Sequence, residues 1–450
     1  MSENLTHRFL EGIGALRHNP LTSDVRRHTQ RCLVDYLGST IAGASMARTQ
    51  LHRIIDVLGG TDQDASLIGL DRKASLHTAA FINGISSHTA ELDDGVMSGI
   101  IHPGAPIFSA LLPVAQRYGV RGDDLLLGVV AAYEASVRLA EAIQPSHKLK
   151  GHHATATCGA LGAVLGITAM TNLDPIVSQA AFSSAAISAA GSLKALEGNS
   201  QLKPVNAGNA ASTAITALAV ADAGYLGPED VLGGDAGFLA MMSDSCDTDK
   251  LLGQVGLPLA VERVYLKPHA ACRYCHPAID AALDLRSQHQ LDTHSVARIQ
   301  VETYELAVRH HDHTTVENSA SAKMSIPYGV AVALQYGAVG ISEFSDEHIR
   351  SDAVRRLMSR TLVSADEGYS RAFPHQTSAR LTITLNNGRT LIGEVNQPKG
   401  DPQNPLSDDD VRNKFINLTL SSHFPEARAH KIYDAVMQLP NSPNLLYELL

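Results

Sequence analysis

Residues 88–104 read HTAELDDGVMSGIIHPG and hold the carboxylates Glu91, Asp93 and Asp94 beside the imidazoles of His88 and His102. Side chains that exchange protons on both sides of neutrality are what general acid–base chemistry requires. The glycines and the closing Pro103-Gly104 pair predict that a helix ends here and a shaped loop follows. The same composition also suits a solvated acidic helix end, so the segment gains meaning only with partners elsewhere in the chain.

Three later segments supply such partners. LKGHHATATCG (149–159) places His152 and His153 between Gly151 and a run of small residues. A histidine pair of this kind can be structural, catalytic or metal-binding, and adjacent residues point to different sides of a regular element, so at most one faces a given site. GNSQLKPVNAGNAA (198–211) sets Lys203 in a predicted loop between two apolar helices, with Asn199, Asn206 and Asn209 around it. An unpaired buried ammonium is costly; Lys203 either snorkels to the surface or holds an anion. VYLKPHAACRYCHPAID (264–280) gathers Lys267, His269, Arg273, Tyr274 and His276 at a predicted domain junction, a favoured place for small-molecule sites.

Other features carry less. Cys272-x-x-Cys275 without a second pair is weak support for zinc, has no thioredoxin-like pattern beside it, and reads as pocket wall or core. HHDH at 310–313 fits a polar surface loop or a metal ligand set. Tyr328 in SIPYGVAVAL opens an apolar helix, reaching a site through its hydroxyl or capping the core. The chain has no GxGxxG after a strand, no GxxxxGK[ST], no HExxH and no iron–sulfur spacing.

The elements that must position these groups are mostly helical. The chain has 450 residues, 44% hydrophobic and 18% charged, a globular composition with room for two or three domains. Aromatics make up 5% and Trp is absent, so the core must be built from Ala, Leu, Val and Ile, with Gly allowing close helix contacts. A net charge of −10 offers no broad basic face for nucleic acid, and an anionic substrate would need a local cationic pocket. Five scattered cysteines favour a reducing compartment over a disulfide framework. MSENLTHRF lacks the pattern of a signal peptide, and apolar runs such as 159–170, about twelve residues long, read as buried helix and not as a membrane span. A soluble cytoplasmic protein is expected.

Helical spacing runs through 5–60, 74–92 and 105–145, and the Ala/Gly/Ser-rich stretch 154–224 predicts tightly packed central helices. Residues 296–304 alternate as a strand, and 378–395 read as a hairpin turning at Asn386-Asn387-Gly388. Between them, 325–339 and 344–359 look helical. Residues 263–400 are thus expected to form a smaller α+β domain. Residues 407–450 return to helix, with Ser407 and Asp408 as N-cap candidates, and are expected to pack on the first helical body.

Taken in order, HTAELDDG…HPGA, GHHAT, LKPVNAGNAA and KPHAACRYCHPAIDAA resemble the MmgE/PrpD family, which contains 2-methylcitrate dehydratases, cis-aconitate decarboxylases and iminodisuccinate epimerase. The resemblance spans nearly the whole chain. It implies a mainly α fold: a large all-helical domain from 1–262 and 401–450, and a smaller α+β lid over 263–400. It further implies a homodimer, no cofactor and no metal. The family's motif histidine corresponds to His102, the GxHxT histidine to His153, and the two motif lysines to Lys203 and Lys267. Glu91 stands where the decarboxylases look to have Asp. Gly95 stands where the dehydratase and decarboxylase branches typically have Thr.

All three family chemistries must form or quench a carbanion beside a carboxylate and hold its charge. Lys203 and Lys267, with Arg273, would neutralise that charge in a pocket of reduced dielectric. His102 and His153 would serve as base and acid, while Asp93 or Asp94 would orient a histidine or receive the proton. Glu91, Asp94, Arg273 and Tyr328 complete the expected substrate contacts. The expected function is that of a cofactor-independent hydro-lyase acting on a small hydroxy-polycarboxylate. The alternatives are an epimerase of an α-substituted dicarboxylate, a cis-aconitate-type decarboxylase, and a non-catalytic carboxylate-binding protein. The expected partner is a small anionic carboxylate, with no nucleic acid and no membrane.

Overall fold

A computed structural model describes residues 4–58, 62–197, 200–439, 441 and 443–450. The chain is mainly α and divides into two compact units. The larger comprises the chain up to Ala195 with Leu202–Tyr265 and Ser407–Leu450; the smaller comprises Leu266–Leu406 and the described residues of 196–201.

The larger unit is helical apart from a short antiparallel pair, Ala65–Leu67 with Arg72–Ala74, too short for alternation to announce it. Ser23–Met46 is its longest helix. It starts where the Thr22 hydroxyl accepts from the Val25 N–H, with Asp24 in the first turn to favour the dipole. Leu76–Thr89 packs on this helix and on Lys203–Asp222, and Gly122–Ile143 packs on Ala154–Thr171. Small residues make these approaches possible. A Cβ on Gly84 would stand 2.7 Å from the Gly208 Cα, so glycines on both helices let their backbones touch.

Ala154–Thr171 has 18 residues and is apolar all round. It is longer than the run read from sequence and long enough to cross a membrane. However, 89% of it is buried inside the protein, which makes it a core helix. The C-terminal helix Asp408–Ser421 packs back on Ser23–Met46, as expected. Ser407 caps it in a reciprocal box with Asp410.

In the smaller unit Val296–Thr303 pairs parallel with Thr361–Ala365 and antiparallel with Ala379–Leu385, which pairs antiparallel with Thr390–Val395. The hairpin turns where the sequence placed it, with Gly388 at φ 83°. Helix His276–His289 packs on the two hairpin strands, and Ile326–Tyr336 packs on that helix. The unit boundaries lie a few residues beyond the expected 262/263 and 400/401. Tyr265 exchanges backbone hydrogen bonds with Gly95 of the larger unit (3.1 and 2.8 Å), whereas the Leu266 N–H donates to the Gly400 carbonyl (2.9 Å) inside the smaller one.

Candidate active site

The acidic segment does leave a helix as a shaped loop. Helix Leu76–Thr89 ends just after His88, and Glu91 takes the left-handed conformation (φ 56°) that turns the chain away. Val96 and Ile101 then exchange backbone hydrogen bonds (2.9 and 3.3 Å), folding the loop back before helix Gly104–Tyr118 begins. Glu91, Asp93 and Asp94 are all buried, so the segment is not a solvated helix end.

Three imidazoles meet here. The His88 ring lies 5.0 Å from that of His102 and 6.0 Å from that of His153, centroid to centroid. His88 Nδ1 bonds Asp93 Oδ2 at 2.6 Å, and the same oxygen stands 3.6 Å from His102 Nδ1. His88 Nε2 is buried with no hydrogen-bond partner. The side chain of His102 is 14% exposed while that of His88 is fully buried, so solvent or a ligand meets His102 first. The Tyr265 ring stands edge-on to His102 at 6.4 Å.

The hydrogen bonds settle which nitrogen carries each proton. His102 Nδ1 lies 2.7 Å from the Asp94 backbone carbonyl. A carbonyl only accepts, so Nδ1 donates and the neutral ring carries its lone pair on Nε2. The His102 N–H in turn donates to Thr155 Oγ1 at 3.0 Å, tying the loop to helix Ala154–Thr171. His153, at the start of that helix, is the opposite case. Asn206 Nδ2 donates to the Ser192 carbonyl (3.3 Å), which fixes the amide's orientation, and donates also to His153 Nδ1 (3.1 Å). The proton of neutral His153 therefore sits on Nε2. Burial, then the electrostatic influence of His88, Lys203 and His102, holds its pKa well below the ordinary value, so this ring stays neutral. The other histidine of the pair, His152, faces His147 instead (5.1 Å).

Lys203 is not in a loop. It is the first residue of helix Lys203–Asp222, with Pro204 pre-set for the first turn. Its ammonium is buried and paired with the Glu91 carboxylate. Of the asparagines expected around it, Asn206 bonds His153, and Asn199 lies outside the described residues.

A buried acidic layer lies behind the loop. Asp94 accepts from the Gly104 N–H (2.9 Å) and the Tyr133 hydroxyl (2.5 Å). Burial nevertheless pushes its carboxyl up to about 7, with Asp35 and Asp93 adding to the effect. The Lys414 ammonium pairs with Asp35 and donates to the Leu92 carbonyl at 2.7 Å, so the C-terminal segment braces the loop from below.

Lys267, Arg273 and Tyr328 belong to the smaller unit. Lys267 is fully buried there. The Arg273 guanidinium donates to the carbonyls of Lys399 (3.0 Å) and Pro398 (3.4 Å) and faces Asp401. Tyr328, at the start of helix Ile326–Tyr336, donates its hydroxyl to the Glu343 carbonyl at 2.6 Å. Among the described residues no group of three or more His, Cys, Asp or Glu could hold a metal ion, and no disulfide is formed. HHDH is not a wholly exposed loop, since His311 is buried.

Several of these groups carry no role that the sequence alone assigns. His88 sat in the acidic segment without an assigned role. Asn206 stands out in the sequence only as a neighbour of Lys203. Tyr133, Tyr265 and Lys414 gave no signal, because each acts through a contact made by folding.

A family model of the MmgE/PrpD N-terminal domain matches residues 8–250, and one of the MmgE/PrpD C-terminal domain matches residues 269–439. The chain belongs to the MmgE/PrpD family. It is 25% identical to a cis-aconitate decarboxylase-like protein of Aspergillus oryzae, over 98% of this chain and 96% of the relative. It is also 25% identical to the cis-aconitate decarboxylases of Homo sapiens and Mus musculus, over 92% of this chain and 88% and 86% of those proteins.

Proposed function

We propose that this chain is a lyase that breaks or makes a C–H bond beside a carboxylate of a small polycarboxylate, with dehydration of a hydroxy-polycarboxylate as its reaction. The observation that carries this reading is the pair of opposed tautomers. His102 presents a basic Nε2 on the most exposed ring of the trio, and His153 presents a neutral Nε2–H.

In this mechanism His102 Nε2 takes the α-proton. The imidazolium so formed is steadied by the Asp94 carbonyl on Nδ1 and by Asp93 nearby. Charge develops on the carboxylate oxygens as the C–H bond breaks. The His153 N–H, a neutral donor that need not give up its proton, stabilises that charge, and Lys203, held by Glu91, offers a further ammonium donor. His102 then returns its proton to the departing hydroxyl, which leaves as water, so atoms and charge balance.

Decarboxylation is the second reading, favoured by the printed names of the relatives. In that case protonated His102 quenches the carbanion left when carbon dioxide departs. Incubating the protein in deuterium oxide with hydroxy-tricarboxylates and with cis-aconitate, followed by NMR, separates the readings. Loss of water with an exchangeable α-hydrogen supports the first. Carbon dioxide release with one deuterium in the product supports the second, and deuterium incorporation with inversion supports an epimerase. Tight binding with no exchange on any acid leaves only a carboxylate binder and refutes the enzyme reading.

A further inference from the structure

The smaller unit carries a thiol–imidazole pair that the proposed reaction does not use. Cys272 Sγ lies 3.4 Å from His311 Nε2. His311 Nδ1 lies 2.6 Å from the Arg309 carbonyl, which only accepts, so Nδ1 carries the proton and the Nε2 lone pair faces the thiol. The backbone fixes both partners. The Cys272 N–H donates to the Lys323 carbonyl (2.8 Å), and the Ile326 N–H donates to the His311 carbonyl (2.8 Å). The Tyr274 ring packs edge-on to His311 at 5.2 Å and holds the imidazole plane. His311 is buried while Cys272 is partly exposed, so the base is more shielded than the cysteine. A nucleophile within reach of a base that a third group orients is the arrangement of nucleophilic catalysis.

We propose that Cys272 is a base-assisted thiol, with His311 as its base, and that it exchanges reversibly with small soluble disulfides. His311 Nε2 takes the thiol proton as the sulfur attacks one sulfur of the disulfide. The disulfide bond breaks, a mixed disulfide forms on Cys272, and the departing thiolate takes the proton from His311. The Cys272 thiol is oxidised and one sulfur of the disulfide is reduced to a thiol, so no further oxidant is needed.

The test uses the whole chain without substrate. The protein is incubated with oxidised glutathione, and separately with iodoacetamide, and modification of each cysteine is followed by peptide mass spectrometry against N-acetylcysteine as an unassisted thiol. Cys272 is expected to react at least about tenfold faster than N-acetylcysteine, and His311→Gln to remove that advantage while leaving the exposed Cys246 unchanged. Dithiothreitol is expected to release the glutathione adduct. A Cys272 that reacts no faster than the free thiol overturns the proposal without recourse to any variant. So does a rate untouched by His311→Gln.

Discussion

Asp94→Asn tests the buried layer behind the histidines without needing a substrate. Burial raises the Asp94 carboxyl from an ordinary 3.8 to about 7, against the pull of Tyr133 and the Gly104 N–H. The folded chain thus binds this proton more tightly than the unfolded one. Well below pH 4 both states hold it and it costs nothing. Between about pH 4 and 7 the unfolded chain releases the proton first, so stability falls as pH rises, and above about 7 the loss is complete. The gap corresponds to about 4 kcal/mol, an upper bound for the effect. Asparagine removes the titration and keeps the shape, with the Tyr133 hydroxyl turning to accept from the new amide. The backbone carbonyl that holds His102 is untouched. Urea unfolding of both proteins from pH 4 to 8 should show the variant's advantage growing towards about 2–4 kcal/mol at pH 8, relative to its value at pH 4. A difference constant with pH, or one that grows towards acid, would mean that burial does not raise the Asp94 carboxyl.

Other expectations follow from the same geometry. Asp93 stands 3.6 Å from His102 Nδ1, a separation worth about 4–5 kcal/mol between full charges at an effective dielectric of about 20. The amide of Asp93→Asn keeps a dipole there, so about half should be lost, slowing turnover roughly 30-fold with little change in KM; unchanged steady-state turnover would contradict it. Gly208→Ala forces a Cβ to 2.6 Å from the Phe81 carbonyl and should cost about 1–3 kcal/mol in urea unfolding.

Much of the fold was legible from the chain because its signals are local. The helical spacing of 5–60, the alternation of 296–304 and the Asn387-Gly388 turn each declare themselves within a few residues. The site was legible in types but not in arrangement. Residue spacing placed His88, Asp93 and His102 in one segment, and only the fold shows Asp93 shared between the two rings. Lys203 looked like a loop residue because Lys-Pro reads as a break, whereas the proline occupies a helix's first turn, where its missing N–H costs nothing. Nor could sequence reveal that Glu91 neutralises Lys203, or that Tyr133 and Lys414 brace the loop from helices far away in the chain. Those contacts depend on tertiary packing, which periodicity does not encode.

In the proposed reaction His102 takes the proton from the substrate carbon. The most direct measurement of that step is the NMR rate of C–H to C–D exchange in deuterium oxide, on whichever acid the wild-type chain turns over. Folded His102→Ala is expected to lose this exchange by at least about a hundredfold. Exchange at the wild-type rate in that variant would contradict this role of His102.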